Sequence, residues 1–136
     1  DAFCLADIDG DGSPELILRL NEDFGFELLR YENGLVYGFP FVARAMEDIT
    51  VEGDILGSNG AEDYGWYQVR FLAETMEISE VCWKHVDENY NFHWTIEGQD
   101  APEDDFVKHC NETEAKSRLA FTEYTQENLD AAMAAD

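Results

Sequence analysis

The sequence predicts an α+β fold: a mainly antiparallel β-sheet running as a meander, with two C-terminal helices. Three observations carry this. Up to about residue 97, short apolar-rich runs with alternating side chains are separated by clusters of Gly, Asn and Asp, the pattern of strands and turns. Glu32-Asn33-Gly34 stands between two such runs, and Asn-Gly supplies the positive φ angles of a tight hairpin turn. Beyond residue 101 the pattern changes to helix-start signals, first Pro102 followed by three acids and later Thr125.

In chain order, strands are expected at about 2–7 and 15–20, with Leu18 on the buried face of the second. Asn21 to Gly25 is a turn cluster, and Phe26–Tyr31 and Leu35–Phe39 complete a four-stranded meander whose end or edge is marked by Pro40. Residues 43–48 predict a short helical turn. Thr50-Val51 and Ile55-Leu56 form a weak strand pair around Gly53-Asp54, and Gly57 to Asp63 reads as loop. Trp66–Leu72, Glu77–His85 and Tyr90–Ile96 are longer strands. The last places Tyr90, Phe92, Trp94 and Ile96 on one face and Asn91, His93, Thr95 and Glu97 on the other. Pro102 opens a helix with an apolar stripe of Phe106, Val107 and Cys110, the acids lying at the positive end of its dipole. An extended piece, Leu119–Tyr124, leads to a final helix capped by Thr125, with Leu129, Ala132 and Met133 facing inward. Residues 1–136 are expected to be one domain: a meander over about 1–42, further strands over about 49–97 and a helical part over about 101–136.

Composition sets the outer bounds. With 136 residues, 45 % hydrophobic, the chain is long enough for a real core. Its nine Phe, six Tyr and three Trp argue against disorder. A formal charge of −23 repels nucleic acid and anionic membranes, and favours cations. No apolar run reaches the length of a membrane helix. A chain that begins without Met, directly in a strand, reads as a mature or trimmed form whose targeting segment, if any, is missing. Cys4, Cys82 and Cys110 permit one disulfide by three alternative pairings, or three reduced thiols. The sequence leaves these open, and any bridge is expected to be dispensable for the fold.

The stretch that carries chemistry is Asp7-Ile-Asp-Gly-Asp-Gly-Ser-Pro-Glu15. Alternate acids in a curled loop converge on one point, and the glycines permit the curl. A helix–loop–helix calcium site requires a Glu at the twelfth position, which here is Leu18, so that design is excluded. Glu15, at the ninth position, closes a shorter loop instead. The candidate metal ligands are therefore Asp7, Asp9, Asp11 and Glu15 through side chains and Ser13 through its carbonyl, and the expected ion is Ca2+. Four carboxylates within nine residues repel one another unless a cation is present.

The run Phe3 to Leu18 resembles the calcium loops of FG-GAP and VCBS-type repeats, over roughly the first 40 residues. That resemblance implies calcium coordination by Asp7, Asp9, Asp11 and Glu15. A complete propeller is excluded by length and by the single loop. The whole chain more loosely resembles secreted or lipoprotein-like proteins of Gram-positive gut bacteria that pair one such loop with a small sheet and a terminal Thr-x-Glu-Asn-Leu segment, here Thr125 to Leu129. This second resemblance implies an extracellular or cell-surface setting and no particular activity.

Other constellations are weaker. Cys82 and His85 are three apart in a strand and face opposite ways, which argues against a shared zinc ion, and His109-Cys110 is as superficial. His93 reads as a surface histidine. Trp66, Tyr67, Trp83, Tyr90 and Trp94 form either core or a sugar-stacking platform. Asn111-Glu-Thr113 matches a glycosylation acceptor inside a predicted helix. No nucleophile–base pattern or carboxylate pair is nominated among the acids. The expected function is thus a calcium-stabilised extracellular domain. A carbohydrate- or protein-binding module and a hydrolase with structural calcium remain as alternatives.

Overall fold

In the computed structural model, which describes residues 1–20, 25–72 and 74–134, the chain forms eleven strands and two helices. The turn cluster expected at 21–25 lies, apart from Gly25, outside the described residues. Strands β1 (Ala2–Ala6), β2 (Glu15–Arg19), β3 (Phe26–Glu32) and β4 (Leu35–Phe41) form the antiparallel meander, closed by the Asn33-Gly34 turn, where both residues have positive φ. Strand β4 is its edge, which accommodates Pro40.

A second antiparallel sheet holds β5 (Asp48–Ile49), β6 (Ile55–Gly60), β7 (Asp63–Leu72), β8 (Thr75–Val86), β9 (Phe92–Ile96) and β10 (Gln99–Ala101) in the order β10-β9-β8-β7-β6-β5. Helix α1 (Glu103–Glu114) follows. The chain then passes along β5, where Val51 N–H donates to Ser117 O and Leu119 N–H to Ile49 O, both near 3 Å. It ends in β11 (Thr122–Glu123), paired with β1, and α2 (Gln126–Ala134). One segment thereby stitches the second sheet to the first. The architecture is the α+β class expected, with the strands divided between two sheets.

The sheets face each other across one core. From the first come Ile17, Phe26, Leu28 and Phe41, and from the second Ile49, Ile55, Tyr67, Val69, Phe71 and Trp83. Phe39 and Phe71 meet across the interface with ring centroids 5.0 Å apart. The outer face of the second sheet carries Trp66 and Cys82, which α1 covers with Phe106. The domain is layered as sheet, sheet and helix.

Several local expectations fail for identifiable reasons. Gly57 to Asp63 is not a loop: β6 runs to Gly60 and β7 begins at Asp63, because pairing with the aromatic-rich Tyr64–Tyr67 overrides the turn-like composition. Leu18 is half-buried on the outer face of β2, and Glu15 and Ile17 point inward. Leu16-Ile17-Leu18 is apolar on both faces, so its pattern cannot choose the inward one. Val107 is 45 % exposed, since only the side of α1 that carries Phe106 and Cys110, one turn apart, meets the sheet. Met133 is 63 % exposed and α2 buries no residue, with Leu129 and Ala132 only half-buried. Thr125 does cap that helix, its Oγ1 accepting from Asn128 N–H at 3.1 Å.

The β2 orientation gives a direct test. Ile17→Ala removes a fully buried side chain from between the sheets and is expected to cost about 2–5 kcal/mol. Leu18→Ala should cost distinctly less. Chemical denaturation of both variants decides, and equal losses would contradict the assigned inward face.

Candidate metal centre

The β1–β2 connection starts at Asp7 and ends on Glu15, the first residue of β2. Gly10 and Gly12 take φ angles of 73° and 92°, the left-handed values that curl the chain. One oxygen each of Asp7, Asp9, Asp11 and Glu15 then lies within 4.8 Å of the others. Ser13 is exposed beside them, its N–H donating to Asp11 Oδ1 at 2.8 Å.

The loop is anchored from both sides. Ile8, between the first two acids, is buried in the inter-sheet core. Its backbone lies against the β5–β6 turn so closely that a Cβ on Gly53 would stand 2.2 Å from Ile8 O, and Gly53 has φ 92°. Asp9 Oδ2 accepts from Phe71 N–H of β7 at 3.3 Å, so one candidate ligand reaches the second sheet. Arg30, buried on β3, donates through Nη2 to Asp11 Oδ2 at 3.1 Å and lies over the Phe71 ring. These partners are 19 and 62 residues from the acids they contact. Nothing local in the sequence marks them.

The carboxylates are not equivalent. Asp7 accepts Gly12 N–H at 2.8 Å, which chiefly holds its carboxyl below the ordinary range. Burial pushes Asp9 upward. Glu15 is fully buried, and desolvation, reinforced by the charges of Asp9, Asp11 and Asp7, pushes it to about 7. Its Oε2 accepts Ile8 N–H at 3.0 Å, while Oε1 has no hydrogen-bond partner among the described residues. A buried, unpartnered carboxylate oxygen is costly. Here it sits beside three other acids, so it fits a cation held by oxygen ligands.

The remaining candidates separate in space. Cys82 faces α1, whereas His85 stacks on the exposed His93 with centroids 4.6 Å apart, so the two do not share an ion. Trp66, Tyr67 and Trp83 are core, which dismantles the stacking platform; Tyr90 is exposed on a turn and Trp94 half-buried against the Trp66 cluster. A groove of about 290 Å³ runs over Tyr67, Trp83, Glu80 and His85. There Glu80 and the Thr95 hydroxyl both meet His85 at Nε2, at 3.1 and 3.2 Å, so the carboxylate does not orient the ring from its other nitrogen as a nucleophile-activating triad requires. In the Asn111 acceptor motif, Thr113 is buried and its hydroxyl donates to His109 O.

No family model matches the chain, and neither curated proteins nor solved structures give a significant match.

Proposed function

We propose that the loop from Asp7 to Glu15 binds a calcium ion whose role is structural, clamping the two sheets of an extracellular or cell-surface domain. The single observation that carries this reading is the buried Glu15, with one carboxylate oxygen unpartnered and three aspartates within ligand distance. Oxygen donors from flexible carboxylates and carbonyls suit calcium, which takes six to eight such ligands, better than magnesium, which needs a tight octahedron. Asp7, Asp9, Asp11 and Glu15 would supply side-chain oxygens and Ser13 a carbonyl. The ion neutralises mutual repulsion that Arg30 offsets only in part. Through Asp9, and through Ile8 against Gly53, ordering the loop orders the sheet interface. An affinity in the range of extracellular calcium modules, about 10⁻⁴–10⁻³ M, is expected for this loop and would suit calcium levels outside cells.

Calorimetric titration of the metal-free protein tests this. Calcium should bind with one-to-one stoichiometry and at least about tenfold more tightly than magnesium. Equal affinities, or no heat at millimolar calcium, would overturn the proposal.

A further inference from the structure

We propose that Cys82 and Cys110 form a disulfide that fastens α1 to the second sheet. Cys82 is fully buried on β8, on the face that α1 covers, and Cys110 lies half-buried on α1 one turn after Phe106. Their Sγ atoms are 2.9 Å apart, within about 1 Å of the bonded separation. Trp66 and Phe106 pack around them, so the two thiols are held together by the same contacts that dock the helix. Cys4 lies on β1 in the other sheet, with its thiol against Leu5 O. Of the three pairings the sequence permits, the fold prepares one.

The two thiols differ in a way that orders the reaction. The hydrogen bond between the two sulfurs lowers the Cys110 thiol and raises that of Cys82, and burial raises Cys82 further. Cys110, the more accessible, attacks one sulfur of a small-molecule disulfide such as oxidised glutathione. That S–S bond breaks, one small thiol leaves with the proton from Cys110, and a mixed disulfide forms. Cys82 then loses its proton to the departing second thiol as its sulfur displaces that thiol from Cys110. Two protein thiols are oxidised by two electrons, and one small disulfide is reduced to two thiols. This bridge is independent of the calcium site.

The test exposes the folded protein to oxidised glutathione, then maps thiols and cross-linked peptides by mass spectrometry under denaturing conditions. The expected result is a Cys82–Cys110 bridge, with Cys4 as the only free thiol. Cys82→Ser should arrest at a glutathione adduct on Cys110, and Cys110→Ser should leave Cys82 unreacted while the protein stays folded. Circular dichroism of each variant verifies the fold. Cys4→Ser, outside the pair, should still form the bridge and keeps the test available if either of the other variants unfolds. Three free thiols after oxidation, a bridge that includes Cys4, or an unresolved glutathione adduct on Cys82 or Cys110 of the unsubstituted protein would each overturn the proposal.

Discussion

Calcium added to the metal-free protein is expected to raise its melting temperature by about 3–10 °C. An ion that binds the folded state alone stabilises by RT ln(1 + [L]/Kd), about 1.4–2.7 kcal/mol at ten to one hundred times Kd. For a domain of this size each kcal/mol is roughly 2–4 °C. The effect reaches beyond the loop because Asp9 accepts the Phe71 amide and Ile8 is wedged between the sheets. Asp9→Ala removes both a candidate ligand and the link to β7, so it should lower the melting temperature in calcium and abolish most of the chelator response. Thermal melts of both proteins in calcium and in chelator measure this. A wild-type melt indifferent to chelator would contradict it.

The second large effect is on pH dependence. In the folded, cation-free protein Glu15 keeps its proton to about pH 7, against an ordinary value of 4.5. Between those limits the folded state binds more protons than the unfolded chain, so stability falls as pH rises. Glu15 therefore contributes stability that is fully present below about 4.5 and lost by about 7. Asp9, raised by burial, acts in the same direction. Asp7, held low, acts oppositely: its contribution is present above its ordinary 3.8 and lost only as pH falls further. In chelator, Glu15→Gln should flatten the decline between pH 4.5 and 7 and be more stable than wild type at pH 8. Calcium needs the ionised carboxylate, so binding at pH 6 should release protons, read as a dependence of the binding heat on buffer ionisation enthalpy. A pH profile in chelator identical for both proteins would contradict the buried, charge-crowded placement of Glu15.

Much of this arrangement was legible because it is local. Asp-x-Asp-x-Asp-Gly followed by a ninth-position Glu signals convergence through spacing alone, and the loop does bring Asp7, Asp9, Asp11 and Glu15 together. Asn33-Gly34, Pro102 and Thr125 likewise mark their turn and helix starts by local chemistry. What escaped depends on tertiary pairing. The inward face of β2 was hidden by an unbroken apolar run, and β6 by small residues that pair with β7. Arg30 joins the site because β3 pairs with β2 in the same sheet, and Gly53 and the Phe71 amide only because the first sheet lies over the second. The helix stripes were overdrawn: Val107 and Met133 are apolar but meet no core, a distinction that needs the position of the helix rather than its periodicity.

The central claim, that a buried Glu15 completes a calcium site, is tested most directly by a crystal structure grown at millimolar calcium. One ion is predicted inside the loop, with oxygens of Asp7, Asp9, Asp11 and Glu15 at about 2.3–2.6 Å, and with the unpartnered Oε1 of Glu15 among the ligands. A loop without an ion, or an ion bound with the Glu15 carboxylate turned away from it, would contradict the account.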